Sequence, residues 1–575
     1  MVDLKAKPFY LNDEKIQWVE DTIASMTLDE KIGQLFINLT NRRDPETLKT
    51  LIGKYHIGGV RWQGGTLEEV YEQNTTFLRD SRIPTLIASN CEAGGSGAVR
   101  EGTLVATGAA CGASTTLETV RDMARVSARE ASAVGCNWTF APICDVISNW
   151  RNTIVNTRAF GSDVEKVIAC SKAYMEEMHK AGMACAAKHF PGDGSEERDQ
   201  HLIMGCNDLS VEEWDRSFGR VYKELIDAGL DSIMIGHICQ PAYSRLLRPG
   251  IKDEEIMPAT LAPELLQDLL RGRLGFNGLI LTDASHMAGL TVSASRRKAV
   301  PGVVAAGCDM VLFFNDPEED IQYMKDALAD GTLTQERLSD ALHRILGLKA
   351  RLGLDHLTLP AKEGLRVVGC AAHHEAAARA ADESITLVKD TQKALPLDPA
   401  KKKRVLLYYI QSAPASSLDG SDPAKQIVVD ELTKAGFEVT AEPDFYELEM
   451  ANPKNPANRF RLMGKKSMEQ VRKDYDLCLT VIHMRGYAQT NNNRLVYSMG
   501  HSPEVPWYVT ELPTVCVSLN YTNHLIDVPM MKTFINAYAP TREYIHALVE
   551  KLTGKSPFKG QHDELVWCDR WEARL

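Results

Sequence analysis

Short apolar runs recur along roughly the first 350 residues, and each is separated from the next by a stretch long enough for a helix. We read strands at 35–39, 58–62, 84–89, 137–141, 183–188, 232–236, 278–283 and 308–314. Met183-Ala184-Cys185-Ala186-Ala187 is the plainest of them, a buried strand that ends in a tight turn marked by Pro191, Gly192 and Gly194. Ahead of the first run, Thr27-Leu28-Asp29-Glu30 has the Thr-x-x-Glu form of a capping box and opens a helix reaching about Gln34. Repeated strand–helix alternation of this kind predicts an α/β fold, a (β/α)8 TIM-type barrel whose chemistry sits at the C-terminal ends of its strands. A doubly wound open sheet is the alternative that the alternation leaves open.

Beyond about residue 350 the rhythm changes. Asp355 to Gly364 reads as a linker, and an alanine-rich helix follows at 371–388. His373, His374 and Glu375 near its start suggest a metal, but adjacent histidines point to different helix faces, so a solvated helix is the expectation. Apolar runs at 405–410, 477–483 and 513–519 then alternate with helical segments. The expected organisation is a catalytic barrel at 1–352, a linker and connecting helix at 353–381, and a smaller C-terminal α/β sandwich domain at 382–575.

Composition narrows the class. A chain of 575 residues is too long for a single core. Its formal net charge of −12 argues against a nucleic-acid or anionic-membrane partner, which would need a basic face. No apolar run reaches the roughly 18 residues of a membrane span, and the segment Met1–Tyr10 lacks the apolar core of a signal peptide. The 13 cysteines include no Cys-x-x-Cys pair, which suits a reducing cytoplasm and supplies no zinc framework.

Candidate chemistry lies at the predicted strand ends: Asn90 and Glu92 after the third, Asp145 after the fourth, Lys188 and His189 after the fifth, His237 after the sixth and Asp283 after the seventh. The loop after the fifth strand also carries Asp199 and His201. A carboxylate two residues from a histidine can fix its tautomer and raise its basicity, as a general acid/base requires. Gly94-Gly95-Ser96-Gly97 falls short of a full Gly-x-Gly-x-x-Gly dinucleotide loop. A solvated polar loop is the bland account of the 188–201 segment, but so many polar groups at one strand end argue against it.

Lys188-His189-Phe190-Pro191-Gly192-Asp193-Gly194, followed after four residues by Asp199-Gln200-His201, resembles the signature of the β-N-acetylglucosaminidase branch of family-three glycoside hydrolases. Gly275-Phe276-Asn277-Gly278, running to Thr282-Asp283, resembles the same family's nucleophile segment, and Arg158-Ala159-Phe160-Gly161 its sugar-gripping arginine segment. The resemblance implies a retaining exo-β-glycosidase acting on a small carbohydrate, with terminal β-linked N-acetylglucosamine or a related hexosamine removed. In that reading Asp283 is the nucleophile and the Asp199–His201 dyad the acid/base. Lys188, His189, Arg158 and His237 bind sugar hydroxyls, and Asn90 and Glu92 are further binding candidates. No cofactor or metal is implied, and a homodimer is compatible with the resemblance. Three departures bear on specificity: Asn90 stands where the family has Asp, Asp193 where His or Leu is common, and Gln200 where a small hydroxyl residue is common. A phosphorylase or a β-glucosidase using the same residues is the alternative, and a sugar-binding protein without turnover is the alternative of another class. The segment 485–494, rich in Asn and Arg, is a further candidate for sugar contact.

Overall fold

The computed structural model describes residues 2–40, 42–62, 64–356, 358–411, 423–444, 447, 467–484, 494–495 and 505–575. It divides into two compact units. The first comprises Met1–Val105, Val120–Ile147 and Arg158–His374. Eight strands close a parallel barrel in it: β1 (Phe36–Thr40), β2 (Gly59–Trp62), β3 (Leu86–Ser89), β4 (Trp138–Thr139), β5 (Ala184–Phe190), β6 (Ser232–Ile235), β7 (Leu279–Ala284) and β8 (Met310–Leu312). Each pairs with its successor, and β1 pairs with β8 to complete the ring. All the runs read as strands in the sequence are barrel strands, so the closed barrel holds and the open sheet does not.

The composition of β5 explains how the interior fills. Its alanines leave room beside Trp138, which lies opposite Ala184 and is fully buried. Trp138 Nε1–H donates to Ser232 Oγ at 2.9 Å, and that hydroxyl donates to the Cys185 carbonyl at 2.7 Å. The indole's polar end is thereby satisfied inside an apolar layer, as burial demands. Outside the ring, Thr27 and Glu30 form the expected capping box, with the Glu30 N–H donating to Thr27 Oγ1 and the Thr27 N–H to Glu30 Oε2.

At the N-terminal side of the barrel, two buried carboxylates tie strands to helices. Asp231, just before β6, accepts the Cys185 N–H at 2.8 Å and pairs with His179 at 2.7 Å and Arg351 at 2.6 Å. Asp309, just before β8, pairs with Arg271 at 2.9 Å and with Arg337, and accepts the Ile280 N–H. Removing one member of such a buried pair typically costs about 3–5 kcal/mol. The strand starts thus hold the scaffold, and the strand ends are left for chemistry.

The second unit comprises Ala106–Thr119, Ser148–Thr157 and Glu375–Leu575. Six strands form its sheet: β9 (Thr386–Asp390), β10 (Arg404–Gln411), β11 (Glu438–Ala441), β12 (Leu477–His483), β13 (Thr514–Ser518) and β14 (Thr533–Asn536). Their order is β9-β14-β13-β12-β10-β11, parallel except where β9 runs against β14. The two short segments from the first half of the chain are stitched to the C-terminal tail: Trp150 Nε1–H donates to Asp569 at 3.0 Å, and the Gln561 N–H to the Ala113 carbonyl at 2.8 Å.

One expectation fails. His373 is not solvated: it is 2 % exposed, with Nδ1 2.6 Å from Glu130 Oε1, and Glu130 also binds the Thr103 N–H and hydroxyl. A carboxylate supplied 243 residues away makes the burial of this imidazole affordable to the fold.

Candidate active site

Both strands that deliver the key side chains depart from regular pairing where they do so. Between β5 and β6 the register shifts between Ala187 and Phe190, which takes Lys188 and His189 off the regular ladder. Between β7 and β8 it shifts between Met310 and Leu312, opposite the Leu281–Ala284 stretch that holds Asp283. Irregularities of this kind re-aim side chains at the rims of barrels.

The loop after β5 is held by a carboxylate from the end of β4. Asp145, fully buried, accepts the backbone N–H groups of His189 at 3.1 Å and Asp193 at 2.8 Å. Its other oxygen lies 2.7 Å from His189 Nδ1, so Nδ1 carries the proton and Nε2 is left toward the barrel mouth. Gly194, at φ +112°, runs so close to this region that a Cβ would lie 2.4 Å from the Val146 carbonyl oxygen. Asp193, one of the departures from the family pattern, turns its side chain onto the Gly194 N–H at 2.7 Å and so shapes the loop from within.

Glu92, after β3, is the hub of the binding side. Lys188 Nζ is 2.7 Å from its Oε1, while Arg158 Nε and Nη2 donate to its two oxygens at 2.8 and 2.9 Å. Burial pushes the Glu92 carboxyl up, but Arg158 and Lys188 outweigh it and hold the pKa far below the usual range. Burial lowers the Lys188 pKa, partly offset by Glu92. The bidentate fork fixes the plane of Arg158, as a carboxylate–guanidinium pair does. Three of the predicted binding residues therefore form one preorganised cluster. Asn90 stands beside it with its Oδ1 buried and without a donor among the described residues.

The acid/base candidates sit on the same loop as Lys188 and His189. His201 Nδ1 is 2.6 Å from Asp199 Oδ1, which also accepts the His201 N–H at 2.8 Å. Asp199 is buried, whereas the imidazole keeps partial access to the mouth. Gln200 between them points inward, and its Oε1 accepts the His237 N–H at 2.6 Å. The backbone carbonyls of Gln200 and His201 accept from Gly289 at 3.0 Å and Ala288 at 3.1 Å, so the dyad is fastened to the segment that follows Asp283.

Asp283 lies near the end of β7, 8 % exposed, with Oδ1 accepting the Ala284 N–H at 2.7 Å. Burial raises its pKa, but His189, His201 and His237 together bring it down to about 2. A carboxylate so placed is ionised at neutral pH and available as a nucleophile. His237 has less freedom than the sequence suggested. Its Nε2 faces the Ala284 carbonyl at 3.1 Å, which can only accept, and Nδ1 is 3.0 Å from Thr260 Oγ1. Burial lowers its pKa and favours this neutral tautomer, so His237 supports the backbone beside Asp283.

Sequence reasoning passed over two residues and the role of a third. Asp145 was noted at a strand end without its role as the clamp on His189. His286, three residues after Asp283, is exposed, stacks on Phe313 at 6.3 Å and lies in the field of Asp283. Arg61 is the last residue but one of β2 and lies in the fields of Glu92 and Asp283; burial lowers its pKa, and those two carboxylates oppose the shift. A charged residue inside an apolar strand run was the available signal for it.

For a metal, the described residues offer His179, Cys185 and Asp231, whose ligand atoms lie within 4.8 Å of one another. Asp231 is already paired with His179 and Arg351, and burial pushes the Cys185 thiol well above its usual range, so this trio is a structural clamp. Of the candidate segment 485–494, residues 485–493 lie outside the described residues, and Arg494 pairs with Asp527 at 2.6 Å.

Comparison with known proteins gives a consistent picture. The family described as "Glycosyl hydrolase family 3 N terminal domain" matches residues 27–348. The chain is 42 % identical over 577 residues to a "Beta-N-acetylglucosaminidase/beta-glucosidase" of Cellulomonas fimi, covering all of both chains. A "Beta-hexosaminidase" of Chromobacterium violaceum is 34 % identical over 223 residues, 39 % of this chain and 58 % of that one. A solved structure of "Beta-glucoside phosphorylase BglX" superposes with a TM-score of 0.90 at 37 % identity, covering 99 % of each chain.

Proposed function

The chain belongs to glycosyl hydrolase family 3 and is a glycosidase; from that premise we propose that it is a retaining exo-β-glycosidase that removes terminal β-linked N-acetylglucosamine or a related hexosamine. The observation that carries the reading is the fastening of the Asp199–His201 dyad to the segment just after Asp283, which supports their acting together as acid and nucleophile.

In the first step Asp283 attacks the anomeric carbon as the glycosidic C–O bond breaks. The departing oxygen takes a proton from Nε2 of the His201 imidazolium, and Asp199 stabilises that cation through Nδ1–H. The product is a covalent glycosyl-enzyme on Asp283. In the second step the now neutral His201 takes a proton from the acceptor, the acceptor oxygen bonds to the anomeric carbon, and the electron pair of the breaking bond returns to Asp283. Two displacements give net retention. Lys188 and Arg158, both held on Glu92, bind sugar hydroxyls, and His189 Nε2, which carries no proton when Nδ1 does, accepts from another hydroxyl.

A second reading has phosphate in place of water. A histidine acid/base leaves no carboxylate in that role to repel an anion, and Arg61, Arg158 and Lys188 add positive charge nearby. The similarity to a β-glucoside phosphorylase supports it. The free state of all 13 cysteines supports the further reading that the enzyme works in a reducing cytoplasm. A screen of nitrophenyl β-glycosides with and without phosphate tests these readings together. Release of nitrophenol from the N-acetylglucosaminide is expected, and no release from any β-glycoside would overturn the proposal.

A further inference from the structure

Arg61 is a strong cation of the barrel mouth to which the hydrolytic mechanism gives no hydrogen-bonding role. It sits in β2, opposite Leu39 of β1 and Ala88 of β3. Its Nε is buried and has no hydrogen-bonding partner among the described residues. The two carboxylates that influence it are otherwise committed. Glu92 is held by Arg158 and Lys188, and Asp283 is the nucleophile candidate, bonded to the Ala284 N–H. A half-buried guanidinium whose buried Nε has no acceptor is costly, and the cost is relieved when a ligand brings matching acceptors.

We propose that Arg61 is the anion-binding residue of this site, and that its planar fork of N–H donors receives an oxyanion. The oxyanion comes either from inorganic phosphate acting as acceptor or from an acidic group on the saccharide; the chemistry of recognition is the same. A water acceptor and a neutral sugar would supply no charge to meet the guanidinium. With phosphate, the monoanion attacks the anomeric carbon through a hydroxyl oxygen whose proton passes to His201 Nε2. The bond to Asp283 breaks and its electron pair returns to the carboxylate, giving a glycosyl phosphate. The inference deepens the glycosidase reading and rests on it for the reaction, though not for the binding of an anion.

The test separates the two. Inorganic phosphate, glucose 6-phosphate and glucuronate are each titrated into the whole protein at constant ionic strength, and the rise in Tm is followed by scanning fluorimetry for wild type, Arg61→Met and Arg61→Lys. At least one anion is expected to raise the wild-type Tm in a saturable way. Arg61→Met should need at least tenfold more of it for the same rise, and Arg61→Lys, which keeps the charge without the fork, should fall between. A response to phosphate identifies the acceptor as the source, and a response confined to the sugar acids identifies the saccharide; either supports the proposal. No response to any of the three in wild type overturns it, as does an equal response in the variants. Should Arg61→Met fail to fold, Arg61→Lys decides, and wild-type affinity in it overturns the proposal. Nitrophenyl glycoside cleavage in phosphate-free buffer is scored separately: an inactive wild type that binds phosphate through Arg61 would remove the glycosidase reading and leave the anion site standing.

Discussion

His201 Nδ1 lies 2.6 Å from Asp199 Oδ1, and the same oxygen receives the backbone N–H of His201. One carboxylate therefore fixes both the chain and the ring of the residue two positions on. Nδ1 is the proton-bearing nitrogen, so Nε2 is the atom that in the proposed mechanism gives a proton to the leaving group and takes one from the acceptor. Asp199→Ala should lower kcat/KM on unactivated glycosides by about 10–10²-fold, part of the 10²–10⁴-fold that general acid/base catalysis typically supplies. Rates on a dinitrophenyl glycoside, whose leaving group needs little protonation, should fall far less. Equal losses on both substrates would place Asp199 in the fold alone.

The loop that bears the dyad is docked on Gly289. A Cβ there would lie 2.7 Å from His237 Cβ and 3.0 Å from the Gln200 carbonyl oxygen, so alanine must push the two segments apart. Gly289→Ala is expected to cost about 1–3 kcal/mol of stability, as overpacking does. It should also lower kcat by about 10–10²-fold, because misplacement by an ångström is costly to catalysis. Urea unfolding and steady-state kinetics check the two effects, and unchanged kinetics would mean that the docking does not position His201.

Glu92 neutralises two cations at once. Glu92→Gln leaves Arg158 and Lys188 without their carboxylate, and stability should fall by about 3 kcal/mol, at the lower end of the range for breaking a buried pair. Loss of the fork removes the bidentate hold that sets the plane of Arg158, so KM for glycosides should rise more than kcat falls. A kcat effect with constant KM would shift Glu92 from binding to the chemical step.

Asp283 sets a pH dependence of definite sign. Its folded-state pKa is depressed, from 3.8 to about 2, so its stabilising contribution is present above about pH 4 and is lost as pH falls through 2. The proposed nucleophile is thus ionised at neutral and mildly acidic pH. Inactivation by an activated 2-deoxy-2-fluoroglycoside, which needs the nucleophile more than the acid, should proceed at a nearly constant rate from pH 7 down to about 4.5. A fall of that rate centred between pH 5 and 6 would show that Asp283 does not carry this step.

Much of this was legible in the chain. The barrel strands stood out because short apolar runs flanked by turn residues have few other fates, and Asp199, His201 and Asp283 stood out because they end or follow such runs. What stayed hidden were partnerships between distant segments. Asp145 clamps His189 across 44 residues, and Glu130 buries His373 across 243, which is why a solvated helix was expected at 371–388. Nor does anything local reveal that Thr260 and the Ala284 carbonyl face the two ring nitrogens of His237, the histidine expected to bind sugar. The segments Ala106–Thr119 and Ser148–Thr157 gave no sign of joining the second unit, since their contacts with Gln561 and Asp569 are tertiary.

The central claim is a covalent glycosyl-enzyme on Asp283 formed with His201 as the acid. His201→Ala, mixed with a dinitrophenyl β-N-acetylglucosaminide, tests it most directly by intact-protein mass spectrometry followed by peptide mapping. The first step needs little acid with this leaving group, while the second lacks its base, so the intermediate should accumulate. The account predicts a burst of about one dinitrophenolate per protein, a mass gain of one sugar on the peptide bearing Asp283, and its release as a β-glycosyl azide when azide is added. Neither burst nor label should occur with Asp283→Asn. A sugar mapped to another residue, or a fully active His201→Ala enzyme with no accumulating adduct, would contradict it.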